Sequence, residues 1–172
     1  FINDTFFVIS ADLVTDINLD KAYNYHKKSS SFATIVLYQV SDPLHYGVVI
    51  TDKEGKIIQF LEKPTWGEIF SDKINAGIYI LEPDVLNMIP PNKNFDFSKD
   101  LFPKMLEEKK NLRGYNAKGY WRDIGTIEEY LRANKDFCEG EVTLHHPELA
   151  KKKSWIGENS KLDRTVKIAV SY

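Results

Sequence analysis

The stretch that decides the fold reads Tyr120-Trp121-Arg122-Asp123-Ile124-Gly125-Thr126. It places one acidic side chain between an apolar, strand-like approach and the start of a helix. Thr126 and Glu129 have the spacing of a capping box, in which each side chain binds a free amide at the helix N-terminus. Asp123 therefore lies just before that terminus, beside the tight turn at Gly125. A carboxylate in this place either stabilises the helix dipole or holds a hard cation such as Mg²⁺.

Length and composition describe an ordinary globular protein. The chain has 172 residues, of which 42% are apolar and 28% charged, enough for one core. Its net charge of -2 argues against a nucleic-acid partner, which requires a clustered basic face. The longest apolar runs, such as residues 33–38, are too short to cross a membrane. The single cysteine, Cys138, excludes an internal disulfide and favours a reducing, cytoplasmic compartment.

Strands and helices are predicted to alternate along the chain. Residues 6–9 form a continuous apolar run, typical of a strand buried on both faces. Residues 19–26 carry an apolar helical stripe that ends at His26, which we interpret as a packing histidine. Gly55 supplies the turn of a hairpin that joins two predicted strands. The strands are predicted at 6–9, 33–40, 46–51, 56–61, 74–81 and 112–115, and the helices at 19–26, from 83, around 101–106 and after 126.

This element order predicts the fold class. It indicates an α/β protein with a mostly parallel, doubly wound (Rossmann-like) sheet and helices on both faces. Such sheets bind ligands beyond the carboxyl ends of their strands. Asp12 lies there, two residues after the run that ends at Ile9-Ser10, either as a turn residue or as a second functional carboxylate. A haloacid-dehalogenase nucleophile motif needs another aspartate where this chain has Val14, so that class is excluded.

The C-terminal end has a different pattern. Ile156, Leu162 and Ile168 recur every six residues, a period typical of a left-handed parallel β-helix, although chance spacing in a polar tail is the alternative. We therefore predict an α/β domain at 1–140, a linker at 141–153 and the start of a hexapeptide-repeat β-helix at 154–172.

A series of short blocks runs in one order through residues 6–138. The blocks are Val8-Ile9-Ser10-Ala11-Asp12 with Leu13-Val14-Thr15-Asp16, Asp42-Pro43, Tyr46-Gly47-Val48-Val49, Phe60-Leu61-Glu62-Lys63-Pro64, Asn75-Ala76-Gly77-Ile78-Tyr79, Phe95-Asp96-Phe97 with Lys99-Asp100-Leu101-Phe102-Pro103, and Gly119 to Thr126. In these blocks the chain resembles the C-terminal part of the sugar-1-phosphate nucleotidyltransferases, also called NDP-sugar pyrophosphorylases. The mannose-1-phosphate guanylyltransferase branch is the most similar. Residues 1–140 are then a partial nucleotidyltransferase catalytic domain.

The resemblance implies a reaction between an NTP and a sugar 1-phosphate that gives an NDP-sugar and pyrophosphate. The sugar phosphate oxygen is already a nucleophile, so catalysis consists of in-line positioning and charge neutralisation. By resemblance, Asp12 and Asp123 hold Mg²⁺ on the phosphates. Lys63 is the lysine that meets the sugar phosphate as a point charge. These three residues are the implied catalytic set.

The resemblance also implies a sugar pocket. Glu62 corresponds to a carboxylate that accepts hydrogen bonds from sugar hydroxyls. Gly47, in the Tyr46-Gly47 block, corresponds to a glycine whose backbone amide approaches the sugar. Asn75 and Gly77 correspond to a strand segment that lines this pocket, although a strand glycine also relieves crowding.

Two departures from the family pattern affect the expected activity. Ala11 stands where the family usually has a glycine before the first metal aspartate. The glycine-rich loop that cradles the triphosphate in the family has no counterpart among these residues. We therefore expect the 172-residue chain to be inactive alone, and to form a homo-oligomer or pair with a missing N-terminal segment.

Two classes of function fit these residues. The first is sugar-1-phosphate nucleotidyl transfer, with GTP and mannose 1-phosphate as the expected substrates and thymidylyl, uridylyl or adenylyl transfer to glucose 1-phosphate as alternatives. The second is a catalytically silent, regulatory relative that binds sugar nucleotides, which Ala11 favours. Because both aspartates and the Glu62-Lys63 pair are retained, we favour the first class.

Overall fold

The computed structural model of the chain describes residues 2–62, 71–143 and 159–166. Its strands are β1 (Phe6–Ile9), β2 (Leu13–Thr15), β3 (Ala33–Gln39), β4 (Gly47–Thr51), β5 (Ile57–Glu62), β6 (Lys73–Leu81), β7 (Leu112–Asn116) and β8 (Trp121–Asp123). Its helices are α1 (Leu19–Lys28), a 3-10 helix (Pro83–Met88), a π-helical turn (Phe97–Leu101), α2 (Phe102–Glu107) and α3 (Ile127–Glu139). The predicted strands and helices are all present with small shifts at their ends, whereas β2 was not predicted.

The chain forms two compact units. Unit 1 contains the chain up to Ala11 and Asn18–Lys118, and unit 2 contains Asp12–Ile17 and the chain from Gly119 onward. Unit 1 is built on a six-stranded sheet, and unit 2 on the two-stranded sheet of β2 and β8. The short segment between β1 and α1 therefore belongs to a different unit from the elements on either side of it.

The large sheet is mixed, so the prediction of a mostly parallel sheet is wrong. Among the described residues, β3 and β7 pair in parallel, whereas β6 pairs antiparallel with β1, β3 and β4, and β4 pairs antiparallel with β5. Helix α1 does connect β1 to β3, as in a βαβ unit. However, β6 lies between these two strands and runs against both. Local sequence patterns do not specify which strand occupies that position.

Helices lie on both faces of this sheet. Successive residues of a strand point to opposite faces. On β3, Thr34 bonds to the α1 residue His26, with 2.8 Å between Oγ1 and Nδ1. The next residue, Ile35, belongs to the main core cluster together with Phe102 of α2. The result is a layered α/β architecture with α1 and α2 on opposite sides.

Strand β1 is not buried on both faces as predicted. Phe6 and Val8 pack against the core cluster, but Phe7 is 37% exposed and Ile9 is 45% exposed. Phe7 is partly covered by Tyr23 of α1, with 6.3 Å between the ring centroids. A continuous apolar run therefore formed a strand whose second face is only partly covered.

His26 is a packing histidine, as predicted. Its side chain is fully buried, and its Nε2 lies 3.1 Å from Oε1 of Glu82. The neutral ring satisfies both contacts when Nε2 donates to Glu82 and Nδ1 accepts from the Thr34 hydroxyl. Burial lowers the pKa of His26 below its ordinary value of 6.5, and the hydrogen bond to Glu82 opposes this only in part. The ring is therefore neutral at pH 7.

The stability of unit 1 is expected to decrease below about pH 6.5, because unfolded His26 takes up a proton there more readily than the folded residue does. This contribution is fully present above that pH and is lost as the pH falls towards the lower folded pKa. Denaturant unfolding between about pH 7.5 and 5.5 should therefore show a steeper loss in the wild type than in His26→Gln. The exposed His45, replaced in the same way, is the control and should keep the wild-type slope. An equal slope in His26→Gln would contradict the prediction.

Unit 2 contains the helix that Thr126 caps. The Thr126 hydroxyl accepts a hydrogen bond from the amide of Glu129, and the helix begins at Ile127, as predicted. Apolar side chains in the first half of this helix are exposed, however: Ile127 is 82% and Leu131 61% accessible. Of the described α3 residues, Ala133 is the buried one. This helix is consequently anchored in large part by its polar side chains, as described below.

The predicted linker and β-helix lie mostly outside the described residues. Within 159–166, the described part of the predicted β-helix, there is a turn and no strand. The turn is closed by a hydrogen bond from the amide of Val166 to the carbonyl of Asp163. The hexapeptide repeat therefore stays a prediction. In the three described ranges, no helix is both long enough and apolar enough to cross a lipid bilayer.

Candidate functional site

Pairing of β2 with β8 brings Asp12 and Asp123 together. Asp12 immediately precedes β2, and Asp123 is the last residue of β8. The two strands are antiparallel with Leu13 opposite Asp123. The amide of Ile124 donates to the Asp12 carbonyl at 2.9 Å, which extends the pairing to the residues that flank it. Two carboxylates that are far apart in the sequence thus lie at one end of a small sheet.

Gly125 shows how close the two carboxylates come. A Cβ atom built on this glycine would lie 3.0 Å from Oδ1 of Asp123 and 4.0 Å from Oδ2 of Asp12. Both oxygens therefore face one small region, which a larger residue at position 125 would fill. Oδ1 of Asp123 also accepts the Gly125 amide at 2.8 Å, so its direction is set by the turn.

This arrangement fits a hard divalent cation. Mg²⁺ is usually held in proteins by one or two carboxylates, with water and substrate phosphates as its other ligands. Within the three described ranges, no group of three or more His, Cys, Asp or Glu side chains is placed to hold a metal ion. Asp12 and Asp123 alone would leave most coordination positions for such ligands. Metal binding at this pair remains a prediction.

Asp16 holds the small sheet together and was not predicted to do so. Its Oδ1 accepts the amide of Tyr120 at 2.6 Å, and its Oδ2 accepts the amide of Thr143 at 3.0 Å. Gly119 allows this contact, since its φ is +122° and a Cβ there would lie 2.5 Å from Asp16 Oδ1. The sequence contains Asp16 in one of the family blocks, but no local pattern indicates that it binds distant amides.

Replacing Asp16 with alanine is expected to lower the stability of unit 2 by about 1.5–3 kcal/mol, the usual contribution of hydrogen bonds to a charged group. Amide hydrogen exchange should become faster at Tyr120 and Thr143, which lose their acceptor. Asp20→Ala, at an exposed position in the first turn of α1, is the matched control. Unchanged exchange at both amides would show that the carboxylate is not needed there.

Arg122 forms the second polar network of unit 2. Its guanidinium binds Glu129 and Asp136 of α3, with 2.8 Å between Nη2 and Oδ2 of Asp136. Burial alone would lower the pKa of Arg122, but hydrogen bonds with Tyr120, Glu129 and Asp136 raise it above its ordinary value. The hydrogen bond from the Tyr120 hydroxyl, followed by that from Arg122, lowers the pKa of Asp136. Arg122 and Asp136 are therefore both charged at neutral pH.

Glu129 differs from the capping-box prediction. Its amide is capped by Thr126, but its carboxylate binds Arg122 and Arg132. A charged pair with an arginine is a stronger contact than a bond back to the cap residue's amide, which accounts for the difference. The glutamate thus ties the helix to β8.

The predicted sugar-binding residues lie in unit 1. Gly47 begins β4 directly after Tyr46 and pairs with Glu62 at the end of β5. The structure therefore brings the backbones of Gly47 and Glu62 together across the hairpin. Lys63 is outside the described residues, and so is the side chain of Glu62.

Strand β6 contains a β-bulge, in which Gly77 lies and which Asn75 flanks. Three residues of β6 lie opposite Val36 alone, because Ile35 pairs with Tyr79 and Leu37 pairs with Asn75. Gly77 has a φ of +71°, which a glycine adopts without strain. Asn75 holds the bulge through its Oδ1, which accepts the Gly77 amide at 3.0 Å.

The side-chain nitrogen of Asn75, Nδ2, also forms hydrogen bonds. It donates to the Tyr79 hydroxyl at 2.9 Å and lies 3.5 Å from Oγ of Ser98. The Gly77 carbonyl accepts the amide of Ser10 at 2.9 Å, just after β1. Asn75 thus shapes the strand through its side chain, and this role was not predicted. Its proposed contact with a sugar is not tested by these bonds.

Known proteins are similar to this chain in sequence and in fold. The family model described as "Nucleotidyl transferase" matches residues 1–140, a range that includes Asp12 and Asp123. A UTP--glucose-1-phosphate uridylyltransferase of Synechocystis sp. is 38% identical over 144 residues, which are 83% of this chain and 37% of that protein. A mannose-1-phosphate guanylyltransferase of Mycobacterium tuberculosis is 33% identical over 139 residues, or 80% of this chain and 38% of that protein.

A solved structure gives the same result for the fold. HddC from Yersinia pseudotuberculosis superposes with a TM-score of 0.64 at 27% identity, over 78% of this chain and 56% of that one. The chain spans less than half the length of the two curated relatives above.

Proposed function

The chain belongs to the nucleotidyl transferase family, and from this premise we propose that it takes part in nucleotidyl transfer to a sugar 1-phosphate. In this reaction an oxygen of the sugar phosphate attacks the α-phosphorus of an NTP. The bond to the β-phosphate oxygen breaks, so that an NDP-sugar forms and pyrophosphate leaves. The single observation that carries the proposal is the convergence of the Asp12 and Asp123 carboxylates beside Gly125.

In this proposal the two aspartates bind a divalent cation. A bound divalent cation, here Mg²⁺, supplies charge neutralisation on the phosphates. Asp12 and Asp123 would hold it, because carboxylate oxygens are its preferred protein ligands. Since the nucleophile is an ionised phosphate, the reaction needs no serine, cysteine or histidine nucleophile. The protein contributes position and charge.

In the same proposal, residues of unit 1 bind the sugar 1-phosphate. Lys63 binds the sugar phosphate through its ammonium group, and Glu62 accepts hydrogen bonds from sugar hydroxyls. Tyr46, Gly47, Asn75 and Gly77 shape the sugar site, and the Gly47–Glu62 pairing across the β4–β5 hairpin supports this assignment.

We propose GTP and mannose 1-phosphate as the substrate pair. The guanylyltransferase of M. tuberculosis at 33% identity supports this pair, and the uridylyltransferase of Synechocystis at 38% makes UTP with glucose 1-phosphate the main alternative. The test is pyrophosphate release by the complete protein that carries this chain, with each of GTP, UTP, dTTP and ATP and with either mannose 1-phosphate or glucose 1-phosphate. No release with any pair, together with retained binding of an NDP-sugar, would establish the silent regulatory relative instead, for which Ala11 is the supporting departure.

The 172-residue polypeptide by itself is expected to release no pyrophosphate, because a triphosphate-cradling loop is not among its residues.

Replacing Lys63 with alanine is expected to raise the KM for sugar 1-phosphate about 10- to 100-fold, the equivalent of one charge-assisted contact. The KM for the nucleotide should change much less, because the lysine is assigned to the sugar phosphate. Steady-state kinetics with each substrate varied in turn measure both constants. Lys53→Ala, an exposed lysine of the β4–β5 hairpin, is the control. Equal losses for the two substrates would indicate a structural role for Lys63.

A further inference from the structure

Arg122 directly precedes Asp123 on β8, but the two side chains lie on opposite faces of the strand. Adjacent residues of a strand point to opposite faces, so Arg122 projects away from the face that carries Asp123. Its partners lie elsewhere in unit 2. The guanidinium Nε donates to the Tyr120 hydroxyl at 2.9 Å and to Oδ2 of Asp136 at 3.0 Å. Nη1 binds Glu129.

The partners of Arg122 are themselves fixed. The Tyr120 hydroxyl donates to the same Asp136 oxygen at 2.6 Å, so the three side chains form a closed triangle. The carboxylate of Asp136 is 13% exposed and the Arg122 side chain 26% exposed, which shields these contacts from water. Hydrogen-bonded ion pairs that are partly buried in this way hold their geometry better than fully exposed surface pairs do.

The local structure around Asp123 needs such support. Strands β2 and β8 have three residues each, and an isolated two-stranded sheet of this size is marginally stable. Asp123 is followed by Ile124, Gly125 and the cap residue Thr126, and the glycine adds backbone freedom to this short connection. Without a brace, the carboxylate of Asp123 could move relative to Asp12.

We propose that Arg122 is a positioning residue that braces β8 against α3 and thereby holds the Asp123 carboxylate in place for a divalent cation. The inference rests on the proposed function, because it assumes that Asp12 and Asp123 bind the cation. The guanidinium links β8, before the Ile124-Gly125 connection, to two points on α3 beyond it. Both ends of the connection are therefore fixed. Lysine at this position would keep the charge but lose the planar fork that binds two carboxylates at once.

The test uses Mn²⁺ as a paramagnetic probe of the site. Mn²⁺ is titrated into the isotope-labelled 172-residue chain, and the broadening of the Leu13 and Gly125 amide signals is followed by NMR. In Arg122→Gln, the Mn²⁺ concentration for half-maximal broadening is expected to rise about 10-fold, within the range found when residues that support metal ligands are replaced. Arg122→Lys should give an intermediate value.

The matched control is Arg132→Gln. Arg132 is on α3 and also binds Glu129, but its side chain is 56% exposed and its two ion pairs, with Glu128 and Glu129, are both within α3. This variant should bind Mn²⁺ as the wild type does. Asp136→Asn removes the same ion pair from the other side, and it provides the test if Arg122→Gln does not fold.

The outcomes separate the brace from the metal site. If Asp123→Asn abolishes the broadening and neither Arg122→Gln nor Asp136→Asn changes it, the brace is overturned and the metal site stands. If Asp123→Asn also leaves the broadening unchanged, the metal site itself is wrong and the inference fails with it. Weakened binding in the Arg122 and Asp136 variants, with unchanged binding in Arg132→Gln, supports the brace.

Discussion

Replacing Asp123 with asparagine is expected to lower turnover at least about 100-fold in the complete protein, because a lost metal ligand removes several kcal/mol of charge stabilisation. Asparagine has the same shape and can still accept the amide of Gly125 that Asp123 binds now. The fold should therefore remain, and the loss should appear in kcat. The measurement is pyrophosphate release at saturating substrates, with circular dichroism and thermal unfolding as checks on the fold.

The control for this substitution is a carboxylate of the same unit that lies outside the pair. Glu128 is in the first turn of α3, 73% exposed, and paired with Arg132. Glu128→Gln should leave turnover within about twofold of the wild type, since surface ion pairs contribute little. Asp12→Asn should reproduce the effect of Asp123→Asn. Normal turnover in either aspartate variant would remove that residue from the metal site.

Replacing Phe102 with alanine is expected to lower the free energy of unfolding of unit 1 by about 3–5 kcal/mol, the usual cost of truncating a buried aromatic side chain. Phe102 is fully buried at the start of α2. Its ring centroid lies 5.1 Å from that of Tyr79, 5.7 Å from Phe60 and 5.9 Å from Phe97. Alanine would remove the centre of this cluster and leave a cavity.

The loss should also reach the β6 bulge, because the Tyr79 hydroxyl accepts the hydrogen bond from Asn75. Equilibrium denaturation measures the stability, and amide exchange at Gly77 reports on the bulge. Ile58→Ala on strand β5 is the control, since Ile58 is 59% exposed, and it should cost less than about 1 kcal/mol. A loss in Phe102→Ala no larger than in the control would mean that the cluster repacks around the gap.

Local features of the sequence predicted most of the secondary structure. The capping-box spacing of Thr126 and Glu129 predicted the start of α3, and Gly55 between two strand patterns predicted the β4–β5 hairpin. Both features act over a few residues, so their effect can be read without the rest of the chain. The His26 stripe is of the same kind.

The site was predicted only in part. Asp12 and Asp123 were paired by resemblance to a family, and the structure brings them together through β2 and β8. Strand β2 has three residues, too few for a period to appear, so neither the strand nor its pairing with β8 was visible in the sequence. The roles of Asp16 and Arg122 depend on partners in distant segments, and their local patterns look like ordinary surface charges.

By itself, the sequence determined most of the segments that become strands and helices, since hydrophobic period, caps and turn residues act locally. Only the tertiary structure decided the direction and burial of those segments. Strand β6 lies between β1 and β3, which makes the sheet mixed, and Phe7, Ile9 and the Ile127 face of α3 remain exposed. The physical reason is that an apolar run gains free energy against any apolar surface. Which surface it meets depends on the packing of the whole chain.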